Sequence, residues 1–332
     1  MRLGLDLAKS VFVIYGVDER DRCRIKRQLR RSEVLNFFAN LPPCLVGMEA
    51  GSGAHYWARE LHALGHDARI IDARLVVPYR TQGRTGKNDS NDAAAICEAV
   101  GRLHMRFVPM KDSDQQAVLI VHRIRRSRVR EQTRVANQLR GLLAEFGIVL
   151  PRGLARLKRE WPMMRQSCAQ RVPGLAWEEL DTLYRRLVDL HDEILSYDRK
   201  LEAHVRRDSR AKRLCEISGI GRITASAVVA TIGNGRDFKN GRQFAAWLGL
   251  VPRQSSSGGR NTLGGITKRG DEYLRTLLVH GARAELMHVH RRTDPKSQWA
   301  QRLKENKHHN KAIVALANKH ARHAWAVLAH EA

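Results

Sequence analysis

What the chain lacks narrows its class before any motif is read. Its five cysteines, Cys23, Cys44, Cys97, Cys168 and Cys215, lie far apart and form no C-x-x-C pair. That argues against a disulfide framework or a zinc ribbon and fits a reducing cytoplasm. Long apolar runs are missing as well. The uncharged stretch 223–235 has 13 residues, short of the roughly 20 that a spanning helix needs. Asp6 and Lys9 interrupt the apolar start, so the N-terminus has no signal-peptide layout and no membrane partner is expected. There is no G-x-x-x-x-G-K-[ST] loop for a nucleoside triphosphate. Histidines are plentiful, but His288/His290 and His320/His323 have no Cys or acidic partner in a metal-binding pattern. They read as solvated or phosphate-facing side chains.

Acidic charge is also scarce. Across 332 residues, 59 Lys and Arg face 34 Asp and Glu, a net charge of +25. Such an excess repels itself unless a polyanion neutralises it, and nucleic acid is the natural one, because each cation set on a phosphate releases condensed counterions. The excess is uneven. Residues 1–110 hold 17 cations and 12 acids, whereas the remainder holds 42 and 22. The later part is therefore expected to be the main nucleic-acid grip. At 43% hydrophobic residues, the chain has enough apolar surface for more than one core.

Periodicity organises the chain. Residues 2–17 read as a strand, with Leu3, Leu5 and Leu7 alternating ahead of Val11 to Tyr15. A further strand is expected around 24–29, then a helix capped by Ser32 and ended by Pro42-Pro43. Leu45 to Met48 form a short buried strand that delivers Glu49. A helix at 54–64, a strand at 68–71, a Gly- and Arg-rich loop at 81–87 and a helix from Asp89 follow. This alternation indicates an α/β domain with a central sheet. From 112 to 146 the pattern is helical, with seven arginines between 123 and 140. Leu180, Leu183, Leu187, Leu190, Ile194, Tyr197, Leu201 and His204 then step by three and four, a coiled-coil seam for the helix at 112–146 or for a second subunit. From about 212 the chain is helical again, with a Gly/Ser-rich interruption at 253–265.

Four acids stand out. Asp6 is an isolated carboxylate in an apolar strand, a costly placement unless something pairs with it. Glu49 ends a second apolar strand, and Asp89 and Asp92 share one helix face. Singly, Asp89 reads as an N-cap and Glu49 as a loop residue. Together they offer the oxygen set that Mg²⁺ prefers, suited to phosphoryl transfer. The turn Ser218-Gly219-Ile220-Gly221 is either a plain connection between helices or, with Gly219 and Gly221 presenting backbone N–H groups, a helix-hairpin-helix grip on phosphate. The segment from Val251 to Gly270 is either a solvated linker or the carrier of a nucleophilic serine flanked by cations.

Gly4-Leu5-Asp6-Leu7-Ala8-Lys9, Gly47-Met48-Glu49-Ala50 and Lys87-Asn88-Asp89-Ser90-Asn91-Asp92-Ala93 closely resemble the three acidic motifs of the DEDD insertion-sequence transposases, recombinases guided by a bridge RNA. The resemblance spans nearly the whole chain. It implies an α/β RNase H-like (RuvC-like) N-terminal domain at 1–110, a long helical coiled-coil insert at 111–210, and a mainly α C-terminal transposase domain at 211–332 with a helix-hairpin-helix. It implies that Asp6, Glu49, Asp89 and Asp92 bind Mg²⁺, with Mn²⁺ as the substitute. Aligning the Gly-Gly-Arg and Gly-x-Ile-x-Lys-x-Gly landmarks places the serine that links to DNA at Ser257, with Ser256 as the fallback. Arg260, Lys268 and Arg269 become phosphate contacts.

The expectation is thus a cytoplasmic, nucleoid-associated DNA transposase. Its partners would be DNA, a structured guide RNA and further copies of itself, a dimer or tetramer whose subunits share active sites. The rivals are a metal-dependent junction nuclease without a covalent intermediate, and a nucleic-acid-binding protein with no activity.

Overall fold

Leu3 and Leu5 are fully buried, and the residues between and after them, Gly4 and Asp6, face the other side of the strand. That alternation makes β1 (Arg2–Asp6), the centre of a sheet ordered β3-β2-β1-β4-β5-β6. The computed structural model of the chain describes residues 1–80 and 89–330, and the backbone only of Asp89 and Ser90. The loop expected at 81–87 lies outside the described residues.

The single strand expected over 2–17 is two strands. β1 and β2 (Val11–Val17) pair antiparallel, Leu3 opposite Gly16 and Asp6 opposite Val13. Residues 7–10 make the reversal, which the alternation of Leu7 concealed. β3 (Cys23–Arg30) pairs antiparallel with β2. Its run of Arg24, Lys26, Arg27 and Arg30 is the charge that keeps an edge strand from pairing with another chain. The helix expected to begin at Ser32 is α1 (Val34–Ala39), preceded by a 3-10 turn in which the Glu33 carboxylate accepts from the Arg30 backbone N–H at 2.7 Å. β4 (Leu45–Glu49) lies parallel to β1, α2 (Ala54–Ala63) follows, and β5 (Asp67–Ile71) lies parallel to β4. After α3 (Ala73–Val76) comes α4 (Asp89–Val100), and β6 (Phe107–Val108) closes the sheet antiparallel to β5. Phe12, Phe38, Met48, Trp57 and Leu61 fill the core on one face, where each fully buried large side chain contributes about 1.5–3 kcal/mol.

Glycines hold α4 against the other face. A Cβ at Gly4 would lie 2.0 Å from the Ala93 carbonyl oxygen, and one at Gly47 would lie 2.7 Å from Val100. At the far end, a Cβ at Gly101 would meet the Arg2 side chain. The helix therefore runs opposite to β1 and β4, with its N-terminus over their C-terminal ends. Gly4→Ala is expected to destabilise the protein by about 3 kcal/mol or more, since backbone on both sides leaves no room to relax. An unchanged urea midpoint would mean that α4 does not pack there.

The chain divides into two units, Met1–Ser113 and Asp114–Ala332. The second begins with α5 (Ser113–Ala144), α6 (Leu154–Arg171) and α7 (Gly174–Val205). Leu180, Leu187 and Leu190 of the α7 seam bury with Val135, Leu139 and Leu143 of α5 and with Leu157 and Trp161 of α6. The seam thus finds partners within its own chain. Next come α8 (Ser209–Cys215), α9 (Arg222–Ile232), α10 (Gly241–Trp247), the hairpin β7 (Pro252–Ser257) and β8 (Arg260–Ile266), α11 (Glu272–His288), α12 (Pro295–Asn306) and α13 (His309–Ala329). Leu214, Val228, Phe244, Leu278 and Leu316 are among their shared core. No helix among the described residues is long and apolar enough to cross a membrane.

His320, expected to be solvated, is a core residue, and so is His122. His320 is fully buried, with Nε2 2.6 Å from Glu285 Oε2. His122 of α5 lies 3.0 Å from both Tyr273 Oη and Ser226 Oγ. The Ser226 hydroxyl donates to the Arg222 carbonyl at 2.9 Å, so His122 Nε2–H donates to Ser226 while Nδ1 accepts from Tyr273. Burial, and next the Arg125 charge, push the His122 pKa down to about 4. An unfolded histidine titrates near 6.5. Its contribution is therefore complete above pH 6.5 and is lost as pH falls towards 4, by about 3 kcal/mol in all. Denaturant titrations at pH 7 and pH 4.5 should show this loss in the wild type and a smaller one in His122→Asn; equal losses would remove His122 as the cause.

Candidate active site

Asp6 and Glu49 are the last residues of β1 and β4. These strands are parallel neighbours with Leu5 opposite Met48, so the next step along each brings the two acids side by side. Both share a face with the glycine two residues earlier, the face that α4 covers. α4 starts at Asp89 and carries Asp92 one residue before the carbonyl that touches Gly4. The chain thus brings together the strand-end acids and the helix start. The Asp89 side chain lies outside the described residues.

Asp92 is nearly buried, and the charge beside it belongs to Arg80. Arg80 Nε lies 2.6 Å from Asp92 Oδ1, and an Nη lies 3.4 Å from Glu49 Oε2. One guanidinium therefore spans two of the four acids. Arg80 follows the 3-10 turn Val77–Tyr79, its N–H bonded to the Val77 carbonyl at 3.2 Å. No motif reading singled it out: a lone arginine after Val-Val-Pro-Tyr carries no periodic or spacing signal.

The Gly/Ser-rich segment is folded as strand rather than linker. β7 and β8 pair antiparallel, with Ser255 opposite Thr262, Ser256 opposite Asn261 and Ser257 opposite Arg260. Gly258 and Gly259 form the turn, with φ of +53° and +77°, the positive pair that a two-residue type I′ hairpin demands. Alternation separates the serines. Ser256 donates to Asn261 Oδ1 at 2.6 Å and accepts from Gln254 Nε2 at 2.9 Å. Ser257 projects from the opposite face, exposed at the tip with Arg260 as its cross-strand neighbour. The base of the hairpin is tied down by backbone bonds, Thr267 N–H donating to the Val251 carbonyl and Lys268 N–H to that of Gly249, and by Arg275 Nη1 donating to the Leu248 carbonyl. Lys268 is held at φ +55°, which costs a non-glycine residue about 1–2 kcal/mol. Lys268 and Arg269 are both exposed.

Comparison with known proteins matches both units. The transposase IS116/IS110/IS902 family model covers residues 211–300, and a second transposase model, of the IS110 DEDD type, covers 3–148. A probable family 20 transposase of Pseudomonas aeruginosa is 49% identical over 99% of this chain and 97% of its own length. The chain belongs to the IS116/IS110/IS902 family of transposases. Relatives include the transposase for insertion sequence element IS1111A of Coxiella burnetii, 40% identical over 99% of this chain and 90% of its own. That for IS1328 of Yersinia enterocolitica is 38% identical over 98% and 96%. The mixed α/β sheet and the mostly helical second unit agree with an RNase H-like DEDD transposase.

In this transposase the two glycines of the 218–221 turn differ. Gly219, at φ +87°, is set into the core: a Cβ there would lie 2.3 Å from the His320 ring and 2.7 Å from Glu285, and one at Gly281 would strike the Gly219 carbonyl. Lys296 Nζ, 3.0 Å from Glu285, also donates to the Ser218 carbonyl at 3.0 Å. Gly221 is exposed and opens α9, with no side chain capping that helix. Gly219 thus shapes the turn, and Gly221 is the part that a phosphate could reach.

The acid site fits a hard divalent cation by its donor chemistry, since all four groups are carboxylates. Among the described residues no three His, Cys, Asp or Glu side chains form a ready metal cluster. There, the countercharge to Glu49 and Asp92 is Arg80.

Proposed function

We propose that this transposase cuts and rejoins insertion-sequence DNA through a phosphoserine intermediate, with Ser257 as nucleophile and Asp6, Glu49, Asp89 and Asp92 as the metal-binding set. The observation that carries the reading is the convergence of two adjacent parallel strand ends, bearing Asp6 and Glu49, with the N-terminus of the helix bearing Asp89 and Asp92. Mg²⁺ or Mn²⁺ bound there supplies the Lewis acid that polarises a phosphate oxygen. The Ser257 Oγ–P bond forms as the P–O bond to the leaving strand breaks, and the hydroxyl proton passes to a base while the leaving oxygen is protonated. A strand hydroxyl then attacks the phosphoserine and releases the serine, conserving the ester without a nucleotide cofactor. Arg260, opposite Ser257, stabilises the charge that builds on the phosphate, and Lys268 and Arg269, at the hairpin base, contact backbone phosphates further along the strand.

The cationic second unit grips backbone, with the exposed α9 start at Gly221 as one contact. Target choice rests on a structured guide RNA, and the assembly is a dimer or tetramer. The test is to incubate the protein with element-end DNA and Mg²⁺, denature it, and map any covalent adduct. A phosphopeptide within 252–260 is expected. Cut DNA with hydrolysed ends and no adduct would favour the junction nuclease. A discrete RNA should co-purify with active protein; its repeated absence from active preparations overturns the guided part.

A further inference from the structure

We infer that Arg80 is the resident counter-cation of the acid site, bridging Glu49 and Asp92 until a divalent cation replaces it, so that metal affinity is set by competition with a side chain. The inference rests on the metal-binding reading above and adds a residue that the motifs do not contain.

The Arg80 and Asp92 side chains are 11% and 8% exposed, and Glu49 is 30% exposed. A carboxylate as buried as Asp92 must be paired, and Arg80 supplies the charge. Yet the fit is poor in direction. At 2.6 Å, neither Arg80 Nε nor Asp92 Oδ1 has a partner of hydrogen-bonding geometry among the described residues. The contact to Glu49 is long, at 3.4 Å. A guanidinium draws its advantage from planar, bidentate bonds, and here that advantage goes unused. What remains is charge, which a small non-directional cation meets equally well. Arg80 follows a short 3-10 turn and belongs neither to a sheet strand nor to α4, so its side chain can leave the acids without moving either. Two effects follow. Without metal, Arg80 relieves the repulsion between Glu49 and Asp92. With metal, its guanidinium is released beside the site with its charge intact.

By linkage, whatever Arg80 contributes to the metal-free protein is subtracted from metal affinity. The experiment measures Mn²⁺ binding to the full-length chain by electron paramagnetic resonance, with unfolding temperatures in EDTA alongside. Arg80→Gln should bind Mn²⁺ about tenfold more tightly than wild type and unfold at a lower temperature in EDTA. Arg80→Lys, which keeps the charge but not the fork, should fall between them, and it carries the test if Arg80→Gln does not fold. Asp92→Asn is the control for the site. Equal Mn²⁺ binding by wild type and Asp92→Asn overturns the metal-binding reading, whatever Arg80 does. Binding weakened by Asp92→Asn but unchanged or weaker in the Arg80 variants leaves that reading standing and overturns the competition.

Discussion

Ser257→Ala is expected to stop strand cleavage at its first step, lowering the rate by about 10³-fold or more and leaving no protein–DNA adduct. The loss is large because no neighbouring group replaces a nucleophile. The hairpin supplies an internal control. Ser256 is one residue away but on the other face, its hydroxyl engaged by Asn261 and Gln254. Ser256→Ala should loosen the strand pair and cost about tenfold or less, in keeping with two exposed hydrogen bonds of about 0.5 kcal/mol each. The reverse pattern would move the nucleophile to Ser256. Undiminished cutting by Ser257→Ala, without adduct, would leave hydrolysis by the acids alone.

Asp6→Asn should be nearly as severe, with about 10³-fold less cleavage and DNA binding unchanged. The substitution keeps shape and removes one charge, and Asp6 stands at the junction of β1, β4 and the start of α4. Gel-shift and cleavage assays on the same preparation separate the possibilities. Cleavage equal to wild type would remove Asp6 from the chemistry. DNA binding with no cleavage by either protein would favour a binding protein without activity.

The sequence made some of this legible and hid the rest for physical reasons. Alternation in Leu3-Gly4-Leu5-Asp6 and the apolar run before Glu49 marked strands because one face of each is core. The break between β1 and β2 is hidden because Leu7 and Val11 continue the apolar pattern across the reversal. The hairpin reads only as a Gly/Ser-rich interruption because every residue of β7 is exposed; a strand that buries nothing carries no hydrophobic period, and only Gly258-Gly259 signals the turn. His320 reads as a surface residue because its partner, Glu285, is remote in sequence, and nothing near His122 signals its burial because Tyr273 and Ser226 are remote as well. Arg80 was invisible for the same reason. The seam on α7 was clear, but period alone does not distinguish a partner in the same chain from one in another.

The β7–β8 hairpin, exposed along almost its whole length, acts as a ruler. A strand advances about 3.3 Å per residue and reverses its side-chain face at each step. Adding one residue to each strand would move the tip outwards and turn the Ser257 hydroxyl to the face that Ser256 now occupies. Adding two would carry it about 6.6 Å further with its orientation restored. The reach of Ser257, the proposed nucleophile, is therefore quantised, and paired insertions or deletions in this arm are the length changes that preserve the aim of Ser257 and Arg260.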